Sequence, residues 1–249
     1  MAVITEGFIE GRNAVIEALR AGLEIDKVFI AKGETDATLG HIASTARAAG
    51  AVVSEVDRRK LDSMSQTHAH QGVIASAACA EYVTVGSILE TARTRGEQPL
   101  IVICDGITDP HNLGAIIRTC EAAGAHGLII TKHRSAGLTA TVAKASSGAV
   151  YHTAVARVTN LSSTIRELKD AGLWIYGASA ESGNSLWETD FKGPAALVIG
   201  SEGEGIGRLV GENCDIMVSI PMYGKISSLN ASVSAALLLY EVARQRNAL

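Results

Sequence analysis

Leu100-Ile-Val-Ile-Cys-Asp-Gly-Ile-Thr-Asp-Pro-His-Asn-Leu-Gly-Ala-Ile-Ile-Arg-Thr119 is the stretch that decides how this chain folds. The run up to Asp105 is apolar without alternation, as expected of a strand buried on both faces. Gly106, Asp109 and Pro110 then mark a turn, and Leu113, Ile116, Ile117 and Cys120 recur at helical spacing. Asn112 is placed to cap that helix. At about 100° per residue, Arg118 lies about 140° from Leu113 and projects away from the core. Residue chemistry alone leaves Arg118 two readings: a solvated helix arginine, or a guanidinium beside a strand-end pocket, set to hold a phosphate or polarise a hydroxyl.

Working outward, the same texture repeats toward the C-terminus. Apolar runs at Gly127–Thr131, Ala154–Val158, Leu173–Ala178, Ala195–Gly200 and Asp215–Ile220 alternate with helical segments at Leu113–Ala123, Leu161–Ala171 and Asn230–Arg246. Strands alternating with helices predict an α/β fold with a mostly parallel sheet. Ligands then belong at the carboxyl ends of the strands. Toward the N-terminus, residues 1–80 read as a smaller α/β module, with a helix near 13–21, strands at 27–31, 51–56 and 72–78, and helices at 41–49 and 57–64. Residues 81–98 can form a helix over 82–94, but their polar tail Thr91–Gln98 reads as a linker, and 99–249 as the second domain.

Composition narrows the class. The 249 residues are 47% hydrophobic and 19% charged, which suits folded domains and argues against disorder, coiled coil or collagen. No apolar run approaches the roughly 20 residues of a membrane span, and Met1–Val15 lacks the basic-then-apolar pattern of a secretory leader. The four cysteines form no C-x-x-C pair and read as reduced thiols of a cytoplasmic protein. A formal charge of −4 gives no bulk footprint for nucleic acid, so an RNA reading has to come from local chemistry.

Two further strand ends carry chemistry. Ala195-Ala-Leu-Val-Ile-Gly-Ser-Glu-Gly-Glu-Gly-Ile-Gly207 runs an apolar strand into a glycine-rich loop, through which backbone can approach a ligand closely. It fits neither G-x-G-x-x-G nor the Walker pattern, and Glu202 and Glu204 argue against a triphosphate cradle. Ile216 to Tyr240 contains a strand ending at Ile220-Pro221, a tight loop, and a long helix capped by Ser228 or Asn230. A helix start of this kind favours electron-rich groups. The seven histidines show no metal-ligand spacing, and His68 and His70 read as part of a solvated loop. Lys132-His133-Arg134 forms a short basic patch. Arg12, Lys27, Lys32, Arg58, Arg59 and Lys60 give the small module a basic face.

Taken in order, Asn112…Arg118, then Gly200-Ser-Glu-Gly-Glu-Gly205, then Ile220-Pro-Met-x-Gly-x-x-Ser-Ser-Leu-Asn-Ala-Ser232 resemble the three signature motifs of the SpoU (TrmH-like) family of 2′-O-ribose RNA methyltransferases. The resemblance covers about Leu100 to Arg246. The preceding module, through Gly11-Arg-Asn-Ala-Val15 and His70-Gln-Gly-Val73, is similar to the RNA-binding domain often joined to that catalytic domain, which has a ribosomal-protein-like fold. The two-part layout is most similar to bacterial enzymes acting on a guanosine ribose in large-subunit (23S) ribosomal RNA.

The resemblance implies a sheet ending in a deep C-terminal trefoil knot, a topology that periodicity does not reveal. It implies S-adenosylmethionine as methyl donor, held at Gly200, Glu202, Gly205, Ile220, Met222, Gly224, Ser228, Leu229 and Asn230. It implies catalytic work by Arg118 with Asn112, Glu202, Ser228 and Asn230, and no metal. It also implies a homodimer acting on ribosomal RNA, with no membrane and no DNA partner. Two alternatives stand beside it: a transfer-RNA methyltransferase of the same family, and a non-catalytic RNA-binding or assembly protein on the same fold. A dinucleotide-binding enzyme is disfavoured, because Gly106-Ile-Thr-Asp-Pro110 after the first strand does not match its glycine turn.

Overall fold

The computed structural model describes residues 4–5, 7–33, 36–180 and 182–247. The chain divides into two compact units. One holds Met1–Glu81 with Gly137–Ala140, the other Tyr82–Ala136 with Thr141–Leu249.

The smaller unit runs β1 (Ile4–Thr5), β2 (Phe8–Glu10), α1 (Arg12–Arg20), β3 (Ile25–Ala31), α2 (Ala37–Ala48), β4 (Val52–Val56), α3 (Arg58–Met64) and β5 (Val73–Ala77). The strands form one sheet in the order β1-β2-β5-β3-β4, antiparallel except for the β3–β4 pair. Alternation along β3 sends Val28 and Ile30 into a core with Val15 and Ala18 of α1 and Leu39, Ile42 and Ala46 of α2. Lys27 and Phe29 face the other way. Asp36 starts α2 by accepting the Thr38 amide, and Asp57 starts α3 by accepting the Arg59 amide. His70 corrects the solvated-loop expectation. Its ring is buried, Nδ1 accepts the Gly72 amide at 3.1 Å, and Nε2 therefore donates to Asp62 at 2.9 Å.

Glu10 closes this unit's lower loop. Its carboxylate accepts from the Ser65 and Thr67 hydroxyls and from the Gln66 and Thr67 amides. Burial acts to raise its pKa, but those donors together outweigh it and hold the group at about 2, below its ordinary 4.5. A carboxylate with a depressed folded pKa stabilises above its unfolded value and loses that contribution as pH falls toward the folded one. Glu10→Gln is therefore expected to cost about 1.5–3 kcal/mol at neutral pH. The gap to the wild type should narrow as pH falls from 4.5 toward about 2. Urea unfolding of the full chain across that range reads it; a gap independent of pH contradicts it.

The larger unit runs α4 (Val85–Arg95), β6 (Leu100–Asp105), α5 (Pro110–Ala122), β7 (Gly127–Thr131), α6 (Ala140–Ala145), β8 (Val155–Val158), α7 (Leu161–Asp170), β9 (Trp174–Ala178), β10 (Ala195–Gly200), α8 (Arg208–Gly211), β11 (Ile216–Val218) and α9 (Ala231–Arg246). Its sheet has the order β11-β9-β10-β6-β7-β8, with every pair parallel. One face packs Ile101, Ile103, Ile129, Ile175 and Val198 against Ile88 of α4 and Leu161, Ile165 and Leu168 of α7. Helices α5 and α9 pack together, with α9 also against β10. This is the α/β architecture expected from the alternating pattern.

Two boundaries differ from the expectation. The stretch 81–98 is not a bare joint: Thr84 caps α4 by accepting the Ser87 amide, and Ile88 and Ala92 are fully buried in the larger unit. The polar tail masks an apolar stripe at Val85, Ile88, Leu89 and Ala92, spaced as one helix face. Gly137–Ala140, far along the chain, joins the smaller unit. Among the described residues no helix is long and apolar enough to cross a membrane.

Candidate active site

Strands β6 and β10 align residue for residue from Leu100↔Ala195 to Asp105↔Gly200, so both end at one level of the sheet. Beside β10 lie β9 and then β11. A cleft of about 630 Å³ opens at the tips of β9, β10 and β11. That is room for a nucleoside-sized ligand.

The glycine loop after β10 forms one wall. Ser201 and Gly205 bond amide to carbonyl in both directions at 3.0 Å, closing a tight turn with Gly205 at φ +66°. A Cβ on Gly200 would fall inside the Gly205–Ile206 peptide, so only glycine fits where the strand enters the turn. Asp105 at the tip of β6 anchors the far end of the loop, its carboxylate accepting the Gly207 amide at 2.8 Å. Ile220 and Met222 after β11, and Ser228 and Leu229 before α9, supply the opposite wall.

The two asparagines meet one carboxylate. Asn112 Nδ2 donates to Glu202 Oε1 at 2.8 Å, Asn230 Nδ2 donates to the same oxygen at 2.5 Å, and Asn230 Nδ2 lies 2.9 Å from Asn112 Oδ1. Three segments 90 and 118 positions apart from Asn112 thus close on each other. Asn230 works twice, because its Oδ1 also accepts from the Ser232 and Val233 amides and caps α9. That settles the choice between Ser228 and Asn230 as cap. Asn112 is not a cap, correcting the expectation. Asp109 accepts the His111 amide at 3.0 Å with Pro110 in the first turn, so α5 starts three residues earlier than Leu113. Freed from capping, the Asn112 amide reaches Glu202.

Of the residues expected at the site, Gly200, Glu202, Gly205, Ile220, Met222, Ser228 and Leu229 line the cleft. Asn112 and Asn230 join it through Glu202. Gly224 is not part of its wall, lying in the exposed loop between Met222 and Ser228. Arg118 is exposed on α5 and is not in the cleft wall; among the described residues it makes no hydrogen bond or ion pair. Ala178, Ser179 and Ala180, at the tip of β9, line the cleft and carry no motif. The rule that parallel strands present ligands at their carboxyl ends was the signal available for them. Ser227 and Ser234 line it too.

Arg134, from the basic patch after β7, reaches Glu204 of the glycine loop at 3.2 Å, an exposed pair worth little by itself. The cysteines are free thiols: burial, aided by the Asp105 charge, raises Cys104 to about 12, and burial holds Cys120 well above its ordinary value. Neither is a nucleophile at neutral pH. Among the described residues no cluster of three or more His, Cys, Asp or Glu is arranged to hold a metal ion.

The chain is similar to known proteins along almost its whole length. Residues 99–240 match the SpoU rRNA Methylase family, and residues 8–83 match the RNA 2′-O ribose methyltransferase substrate binding family. A Bacillus subtilis protein, YacO, assigned by name to the TrmH family of tRNA/rRNA methyltransferases, is 47% identical over 240 residues, covering 96% of each chain. The SpoU methyltransferase AviRb of Streptomyces viridochromogenes, solved in complex with AdoMet, superposes with a TM-score of 0.62 at 26% identity, over 97% of this chain and 91% of that one. A solved RNA 2′-O ribose methyltransferase gives a TM-score of 0.55 at 29% identity, over 96% and 88%.

Proposed function

This chain belongs to the SpoU family of RNA 2′-O-ribose methyltransferases, and from that premise we propose that it methylates a guanosine 2′-hydroxyl in large-subunit ribosomal RNA, using S-adenosylmethionine. The observation that carries the reading is the joint closure of Asn112, Glu202 and Asn230 beside a nucleoside-sized cleft. A protein that only binds RNA has no need of a carboxylate held by two amides at the mouth of such a cleft.

The cleft fits the donor. Its floor and walls combine apolar Ile199, Ile206, Met217 and Leu229 with main-chain groups of the glycine loop, a mixture suited to adenine and ribose. When bound, S-adenosylmethionine supplies a methyl group activated by the adjacent sulfonium. Gly200, Ile220 and Leu229 hold it through main-chain groups, and Glu202, Gly205, Met222, Ser228 and Asn230 shape its surroundings; Gly224 gives the loop between them its freedom. The last loops of the chain form the trefoil knot of the family, and no metal takes part.

The substrate hydroxyl is a weak nucleophile and loses its proton as it attacks, so alignment supplies much of the rate. Glu202 has Oε1 occupied by both asparagine amides, which leaves Oε2 to accept from the hydroxyl. The Arg118 guanidinium offers a planar fork of donors and no acceptor. Its role is to hold the phosphate beside the target ribose and stabilise the oxygen as negative charge builds. Exposed Tyr151, Val233 and Tyr240, at 61%, 45% and 55%, support a homodimer that covers the apolar side of α9. The smaller unit, residues 1–80, binds the RNA.

The family assignment fits transfer RNA as well as ribosomal RNA, since YacO is named for both. Supplying unmodified ribosomal and transfer RNA transcripts side by side, and mapping the methylated nucleotide, separates them. Preferential labelling of a guanosine in the ribosomal transcript supports the proposal; labelling confined to transfer RNA overturns it.

Asn230→Asp isolates chemistry from folding. Aspartate caps a helix as well as asparagine, so melting should shift little. The hydrogen bonds Asn230 donates to Glu202 and to Asn112 are lost, and a like charge faces Glu202. Turnover is expected to fall about tenfold to a hundredfold, matching about 1.5–3 kcal/mol for a bond to a charged group. Unchanged turnover contradicts the role given to Glu202.

A further inference from the structure

The smaller unit has a second sheet face that its two long helices do not cover. α1 and α2 pack on the side of Val28 and Ile30. On the other side, α3 covers one end, where Leu61 packs with Ala31 and Ile74, and Phe8, Phe29, Val56 and Met64 border that cluster. Toward the other end of β3 the same face continues to Lys27, opposite Ser76 on β5 and Val52 on β4, with Ser54 opposite Phe29.

Two cations come together on this face. Lys27 Nζ sits 5.1 Å from the Phe29 ring centre, a cation–π contact that steers the ammonium across the face. Lys60 of α3 is close enough for its charge, added to partial burial, to push the Lys27 ammonium below its ordinary range. Among the described residues Lys27 and Lys60 form no ion pair. Asp57, Asp62 and Glu10 keep their negative charges, but each is turned to its own partner: Asp57 to the Arg59 amide, Asp62 to His70, and Glu10 to the 65–67 turn. Glu55 alternates to the opposite face of β4. Two cations held together against their own repulsion, beside an aromatic ring and serine hydroxyls, suit a polyanion that brings repeated phosphates.

We propose that the sheet face built on Lys27, Phe29 and Lys60 is where the smaller unit grips the phosphate backbone of the RNA substrate. This deepens the RNA-methylation reading and rests on it. The contacts position the RNA and carry no base information, so they add affinity to any sequence that presents the same backbone path.

The test uses the full chain and an unmodified large-subunit ribosomal RNA transcript. Lys27→Glu/Lys60→Glu is compared with Arg20→Glu/Arg47→Glu, which makes the same charge change on the α1–α2 side; melting curves verify that both are folded. The Lys27/Lys60 pair is expected to weaken RNA binding tenfold or more, and to flatten the dependence of log affinity on log salt by about 1.4, or roughly 0.7 per lost phosphate contact on a single strand. The Arg20/Arg47 pair should stay near wild type. Equal losses in the two variants, or no loss in the first, overturn the face while leaving RNA methylation intact. Failure of the wild-type chain to bind or methylate the transcript overturns both.

Discussion

Arg118→Ala is expected to lower methyl transfer by a factor on the order of 10³ while leaving S-adenosylmethionine affinity within about twofold. The split follows from position. Arg118 lies on the exposed side of α5, away from the buried stripe of Leu113, Ile116, Ile117 and Cys120, and outside the cleft wall. It therefore adds nothing to the seat of the donor. Its unpaired guanidinium is available to the RNA, where a positive charge counts most as the ribose oxygen gives up its proton. Arg118→Lys keeps the charge but loses the planar fork, so it should recover only part of the rate. Single-turnover kinetics with calorimetry on the same variant read both quantities. Near-normal turnover, or a parallel loss of donor affinity, contradicts this role.

Gly200→Ala is the complementary test, aimed at the donor seat rather than the chemistry. The added Cβ meets the Gly205–Ile206 peptide, which is backbone and cannot rotate aside. The turn closed by Ser201 and Gly205 has to open, and its link through Gly207 to Asp105 opens with it. Overpacking of this kind costs about 1–3 kcal/mol or more. Donor affinity should drop roughly ten- to a hundredfold, and melting should fall as well. Gly203→Ala is the control: a Cβ there has no neighbour within 4 Å, so the fold should keep its melting temperature. Full donor affinity in Gly200→Ala contradicts the tight seat.

These two sites show what was legible in the residues. The unalternating runs Leu100–Asp105 and Ala195–Gly200 were legible as doubly buried strands; that they lie side by side and pair in step is seen only in the structure. Gly200 announced itself by the glycines that follow it. Asn112 was legible as a polar residue near a helix start but its task was not, because Asp109 and Pro110, which read as a turn, form the cap and first turn of α5. Only the closure of chain segments around Glu202 distinguishes a cap from a bridge. The β9 tip carried no residue motif, and Ala178, Ser179 and Ala180 enter the cleft by their place at a parallel strand's carboxyl end. α4 was half hidden: its four apolar positions are followed by Thr91–Gln98, whose polarity dominates the local composition. The joining of Gly137–Ala140 to the smaller unit is a long-range event with no local signature.

The account stands on a methyl group reaching a ribose oxygen of RNA. A 2′-O-methyl group removes the internal nucleophile that alkali uses to cleave RNA, so methylated positions survive base hydrolysis as dinucleotides. Purified chain is incubated with methyl-labelled S-adenosylmethionine and unmodified ribosomal RNA, and the RNA is hydrolysed in alkali. Label recovered in alkali-stable dinucleotides is the predicted result. Label in mononucleotides, which places the methyl on a base, or no transfer to RNA, contradicts it.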